Sequence, residues 1–119
     1  MPFDPERYAS GLKRQNKKEA ERIAALAEEA RNKAHELSTA IAQADPEVRA
    51  VYLFGSLAGE GPRHLNFDID LAIDGGDVFA AEQATEDSDF SVDVVALDRL
   101  PPDTAARIRR SGLLLFERA

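Results

Sequence analysis

The sequence predicts an α/β (α+β) layer fold, a small sheet with helices packed on it and a long helix in front. Three observations predict it. A stretch from Pro5 to about Ala44 has no internal proline and repeats apolar residues at helical spacing. Three short apolar runs follow, at 49–54, 67–73 and 91–97. Turn or helical segments separate those runs, so strands and helices interleave.

The first element rests on Ile23, Leu26, Ala27, Ala30, Ala34, Leu37 and Ile41, which share one helical face. Asp4 before Pro5 suits a cap followed by proline at the first helical position. Gly11 and the polar, basic stretch Leu12 to Lys18 offer no core face, so the packed helix is expected over Ala20–Gln43, with a helical extension before it. Asp45-Pro46 ends it. Arg49–Phe54 reads as a strand with Val51 and Leu53 on one face and Tyr52 and Phe54 on the other. A short helix is expected at Ser56–Glu60, a loop from Gly59 to Asn66, and a second strand at Phe67–Ile73. Gly75-Gly76 is a turn, Val78–Gln83 a short helix, Thr85–Asp89 an acidic loop and Ser91–Leu97 the third strand. Pro101-Pro102-Asp103 opens a last helix to about Ser111, and Gly112 stops it. Leu113–Phe116 is an apolar tail that adds to the sheet or covers its edge. The expected organisation is a single domain, with a long N-terminal helix over 1–45 (extension plus packed part) and a core over 46–119.

Composition narrows the function classes. There are no cysteines among 119 residues, so disulfides and thiolate metal sites are excluded. No apolar run approaches twenty residues, and the start Met1-Pro-Phe-Asp-Pro-Glu-Arg lacks the features of a signal peptide, so no membrane contact and a cytoplasmic location are expected. The net charge of −7 is uneven: residues 1–50 hold nine Lys/Arg and nine Asp/Glu, residues 51–119 six and thirteen. An acidic second half argues against direct binding of nucleic acid, which needs clustered positive charge. It suits a site that gathers divalent cations.

The chemistry concentrates between Val51 and Asp93. Asp68 and Asp70 stand two apart in a strand, so both carboxylates face one way. Two adjacent anions repel and call for a cation between them. Carboxylates are the hard oxygen ligands that Mg²⁺ takes, with substrate phosphates completing the shell; a solvated strand face is the plainer alternative. Gly55 and Ser56 leave the first strand at a sharp turn. Glycine lets a phosphate approach the backbone, and serine offers a hydroxyl and a free N–H at a helix start. An ordinary capped turn explains them equally. Asp93 lies in the apolar strand Phe90-Ser-Val-Asp-Val-Val-Ala-Leu97, where a buried carboxylate needs a partner such as a shared metal, or an arginine. Arg63 and His64 sit in the intervening loop and can touch a phosphate or a base, or remain solvated; Arg63 is the third nucleotide-binding candidate beside Gly55 and Ser56. Asp74 and Asp98, at strand ends, read as structural. Together the carboxylates and the turn suit two-metal phosphoryl or nucleotidyl transfer.

Phe54-Gly-Ser, eleven residues, Asp-Ile-Asp-Leu, and then Val92-Asp-Val-Val resemble the minimal nucleotidyltransferases of the DNA polymerase β-like nucleotidyltransferase superfamily. The resemblance covers about Val48 to Phe116, including Leu100-Pro-Pro-Asp and Arg107-Ile-Arg-Arg-Ser-Gly-Leu-Leu-Leu-Phe. It differs at Phe67, where a small polar residue is usual, and in a loop one residue longer than the commonest. The resemblance implies a polymerase β-like fold with a small mixed sheet of three to four strands. It also implies an antitoxin paired with a HEPN-domain ribonuclease toxin, and transfer of AMP from ATP to a hydroxyl, notably a tyrosine of that toxin. In that reading Gly55 and Ser56 hold the triphosphate, Asp68 and Asp70 bind two Mg²⁺ ions, and Asp93 binds the catalytic metal and helps deprotonate the acceptor. The competing expectation is a binding module, an antitoxin that masks its toxin with weak or no catalysis. Tyr8, on the extension, is a candidate self-modification target, and the basic cluster Lys13, Arg14, Lys17 and Lys18 is either a solvated face or a docking surface. A homodimer is possible through the exposed helix.

Overall fold

A computed structural model of the chain describes residues 4–119. The first three residues, part of the segment weighed above as a leader, lie outside the described residues. The long stretch forms one unbroken helix, α1 (Pro5–Ala44). The Asp4 carboxylate accepts from the backbone N–H groups of Glu6 and Arg7 at 3.1 and 3.3 Å, satisfying two donors that the first turn leaves open. The helix runs through Gly11 and stops at Asp45, whose N–H still bonds Ile41, before Pro46. Its buried face is Ile23, Ala27, Ala30, Ala34, Leu37 and Ile41, in the expected order, and the alanines let the backbone lie close on the sheet. Upstream of Ile23 nearly every residue is exposed, so the first half of α1 projects as an arm. A compact chain of this length has a radius of gyration near ~13–14 Å. The observed 18.4 Å and the 67 Å long axis come from that arm.

The sheet has the order β3-β2-β1-β4. β1 (Ala50–Phe54) runs antiparallel to both β2 (Ile69–Asp74) and β4 (Leu113–Glu117). β3 (Val92–Ala96) runs parallel to β2, reached by a crossover through α2 (Val78–Thr85). The apolar tail therefore joins the sheet as an edge strand. Arg118 fixes it there, donating to the carbonyls of Val48 and Ala42 at 3.0 Å each and so tying β4 to the end of α1.

Alternation divides the sheet into two faces. Val51, Leu53, Ile69, Leu71, Ile73 and Val94 meet α1 and α2 in the larger core. Tyr52, Phe54, Ala72 and Val95 meet α3 (Pro102–Ser111) in a smaller one through Ala105 and Ile108. Asp68, Asp70 and Asp93 alternate onto this second face, at the end of the sheet where β1 finishes and β2 and β3 begin. Element boundaries shift from the sequence reading by a residue or two at several ends, and two of the differences bear on the acidic face. The expected helix after β1 is a single 3-10 turn, Gly55–Leu57, because the loop doubles back with the N–H of Gly61 bonding the Ser56 carbonyl at 3.0 Å. β2 begins at Ile69, whose N–H meets the Ser91 carbonyl at 2.8 Å, leaving Asp68 just outside the ladder.

Candidate active site

The site is built on the seam between β1, β2 and β3. In the registered ladder Phe54 stands opposite Asp70, and Asp70 stands opposite Asp93. Registered partners in adjacent strands project to the same face, so the carboxylates of β2 and β3 are neighbours. Asp68, two residues before Asp70, follows the same alternation. The third acid thus lies on the same side as the other two, the condition on which the sequence reading depended.

Their environments differ. Asp70 is half-buried, while Asp68 and Asp93 are exposed. The reading of Asp93 as a buried charge in an apolar strand is therefore corrected: β3 is an edge strand, and its outward face at Asp93 meets solvent. The desolvation cost falls on Asp70 instead. Burial first, then the negative charge of Asp93, then that of Asp68, raise the Asp70 carboxyl above its usual value of 3.8. No lysine, arginine or hydrogen-bond donor within the described residues relieves the three. Hard oxygen donors with no other engagement fit Mg²⁺, although no three acidic or histidine side chains among the described residues are drawn together tightly enough to enclose an ion.

Gly55 explains the turn beside them. Its φ is +76°, a left-handed conformation that side chains resist. A Cβ there would run into the Asp70 carboxylate, coming onto Oδ2 and within 3.2 Å of Cγ. The glycine keeps backbone and carboxylate in close approach. Ser56 follows, exposed, with a hydroxyl that hydrogen-bonds nothing among the described residues.

A hollow of about 250 Å³ gathers Ser56, Arg63, His64, Asn66, Asp68 and Asp70. Arg63 and His64, the two loop residues singled out from sequence, therefore reach the same cleft as the first acidic pair. Gly55 and Asp93 border it without lining it. Gly55 opens on its other side to a second hollow of about 220 Å³ that holds Arg107 and Ser111 of α3. Phe67, the departure from the usual small polar residue, stacks with Phe90 at 6.3 Å between centroids and 29° between planes. It anchors the loop where β2 and β3 begin. Asp74, at the other end of β2, pairs with Arg49 at 2.8 Å and lies 3.9 Å from Arg109, and Asp98 is exposed in the turn after β3. Neither belongs to the cleft.

Sequence reasoning missed two arginines. Arg31 of α1 donates from Nε to the Leu57 carbonyl at 2.9 Å, holding the 3-10 turn from behind. Arg107 approaches the same turn from α3. Nothing in their spacing marks them for this role, because arginines on an amphipathic helix are ordinary (Arg107 is one of three in α3); only the packing brings them to the turn.

Residues 36–119 match the family described as "Polymerase beta, Nucleotidyltransferase". The chain belongs to this family. Among curated proteins none matches the sequence. Solved structures share the fold at low identity. One is a toxin–antitoxin complex with AMP-PNP, at 24% identity and a TM-score of 0.57, covering 71% of this chain and 73% of that one. Another is the toxin–antitoxin MntA–HepT, at 22% identity and a TM-score of 0.51, covering 76% and 73%. A third is a tri-AMPylated Shewanella oneidensis HEPN toxin in complex with its MNT antitoxin, at 22% and 0.51, covering 77% and 73%. The observed mixed four-stranded sheet and long N-terminal helix bear out the expected polymerase β-like fold. No helix among the described residues is long and apolar enough to cross a membrane.

Proposed function

We propose that this protein is a Mg²⁺-dependent nucleotidyltransferase that moves AMP from ATP to a hydroxyl of a partner protein, a HEPN ribonuclease toxin whose antitoxin it is. The observation that carries the reading is the register of Asp70 with Asp93, beside a glycine turn whose backbone presses on Asp70. Asp68, Asp70 and Asp93 would hold the metal, two ions in the two-metal form, which when bound supplies charge neutralisation at the phosphates and lowers the pKa of the attacking hydroxyl. The backbone N–H groups of the turn after Gly55 and the Ser56 hydroxyl bind the triphosphate. Arg63 adds a positive charge at the cleft rim. Asp93, exposed on the edge strand, is the acid with room to receive the acceptor's proton as its oxygen attacks the α-phosphate and pyrophosphate leaves.

The similar MNT antitoxin, in complex with a tri-AMPylated toxin, supports the choice of acceptor. The experiment is to incubate the chain with its HEPN partner and Mg²⁺-ATP and to read the partner's intact mass. The expected result is a gain of one or more AMP units that disappears with Asp68→Ala/Asp70→Ala. Tight binding and toxin inhibition without any gain would replace this reading with masking, and a cytoplasmic pairing of the two proteins is expected under either.

A further inference from the structure

The glycine-serine turn is fixed through its carbonyls. The Gly55 carbonyl accepts from the N–H of Ala58 at 3.2 Å, that of Ser56 from the N–H of Gly61 at 3.0 Å, and that of Leu57 from Nε of Arg31 at 2.9 Å. Two of these bonds are local, one within the 3-10 turn and one where the loop doubles back. The third crosses from α1, 26 residues away in the chain. No other side chain among the described residues hydrogen-bonds the backbone of 55–63.

The same guanidinium lies beneath the return of the loop. A Cβ on Gly61 would stand 3.5 Å from its Nη2, an ordinary contact distance. Arg31 also shares a hollow of about 410 Å³ with residues 60–63, and Pro62 and Arg63 line both this hollow and the acidic cleft. One side chain thus braces the segment that joins Ser56 to Arg63. Its stem leaves α1 one turn after Ala27 and beside Ala30, both buried, where small residues bring the helix close enough for the guanidinium to meet the turn. Glu28 stands 3.7 Å from Nη1 but is 68% exposed, so it competes weakly for the charge. Arg31 lies before the span 36–119 that matches the family.

We propose that Arg31 is a positioning residue for the nucleotide triphosphate, acting through the Leu57 carbonyl on the N–H of Ser56. The path is two peptide groups in series. The unit joining Leu57 to Ala58 is held at both ends, its C=O by Arg31 and its N–H by the Gly55 carbonyl. That carbonyl belongs to the unit joining Gly55 to Ser56. All described peptides are trans, so the Ser56 N–H points opposite to the Gly55 C=O, away from the bonded side of the turn. A cation at one end of such a chain polarises each group in turn and strengthens the last donor toward an anion. Arg31 thereby fixes the direction of the Ser56 N–H and raises its pull on a phosphate, without touching the nucleotide.

This role rests on the nucleotidyltransferase reading, and the experiment separates the two. Calorimetric titration of the full chain with Mg²⁺-AMP-PNP reads nucleotide affinity without transfer. Arg31→Met keeps an unbranched stem and removes the donor, and both it and Arg31→Lys have helix propensities close to arginine's, so α1 is expected to form. Wild type is expected to bind, and Arg31→Met to bind about tenfold more weakly, the scale of one charge-assisted hydrogen bond, with Arg31→Lys between them. In transfer to the partner, Arg31→Met is expected to raise KM for ATP by a similar factor at unchanged kcat. A merely structural arginine gives the reverse split, because loss of folded chain lowers the apparent kcat and leaves KM alone. Equal affinity in wild type and Arg31→Met, or a loss confined to kcat, would overturn the role of Arg31 and leave the transferase reading standing. A wild type that takes no nucleotide would overturn both.

Discussion

Asp70 and Asp74 occupy the same strand, four residues apart, on the same face of the sheet, and the fold treats them in opposite ways. Asp74 meets Arg49 at 2.8 Å and Arg109 at 3.9 Å. Asp70 meets Asp93 across the ladder and Asp68 along the chain, and among the described residues no lysine or arginine forms an ion pair with it. One end of the face is neutralised from within the protein. The other is left with a surplus of negative charge at the mouth of a cleft. Under the proposed function the difference has a reason: Asp74 has its counter-ion built in, whereas Asp70 would meet a charge that arrives with the substrate.

The comparison is most sharply tested by Asp70→Asn. Under the proposed function, loss of adenylyl transfer by at least about 100-fold is expected, on the scale of removing a central electrostatic group from a site, measured as AMP incorporated into the proposed HEPN partner. Stability should move the other way. Burial and the neighbouring acids raise the folded-state value of Asp70 above 3.8, so the folded chain holds this proton more tightly than the unfolded one. Native stability is therefore lost as pH rises from the unfolded value through the folded one, and at pH 7 the ionised carboxyl is a net cost. Asparagine removes that cost. Melting curves at pH 3.5 and 7 should show the variant gaining on the wild type as pH rises, and added Mg²⁺ should raise the melting temperature of the wild type alone. A variant less stable than wild type at pH 7 would show that Asp70 is supported by something other than a bound cation.

Gly55→Ala comes next. A left-handed conformation costs a residue with a side chain about 1–2 kcal/mol, and the new Cβ also meets the Asp70 carboxylate. Urea unfolding should show a loss of about 2 kcal/mol or more, together with weaker nucleotide binding by calorimetry. An unchanged midpoint would mean that the turn can relax and that its closeness to Asp70 is incidental. The smallest effect is expected from Asp74→Asn. Arg49 is 71% exposed, so the pair is screened and its loss should cost about 1 kcal/mol or less in urea, with the transfer rate unaltered. Equal loss of transfer in Asp74→Asn and Asp70→Asn would erase the distinction between the two ends.

Much of this was legible before the fold was known, and unevenly so. The face of α1 from Ile23 to Ile41 follows from spacing alone, because a 3.6-residue period is a local property of the chain. The same-face placement of Asp68 and Asp70 follows from a period of two. The helix after Gly55 was overextended because composition does not reveal that Gly61 folds back on Ser56. Asp93 does stand beside Asp70, but its apolar neighbours suggested burial, and only the edge position of β3 shows that it is exposed.

Local periodicity settled which side chains share a surface and where the long helix starts and stops. It could not choose strand partners, since pairing joins segments distant in sequence and depends on the packing of the whole. The sheet order therefore decided the rest. It set Asp93 beside Asp70, placed the C-terminal strand against β1, brought Arg31 and Arg107 to the turn, and gave Asp74 the arginines that Asp70 lacks.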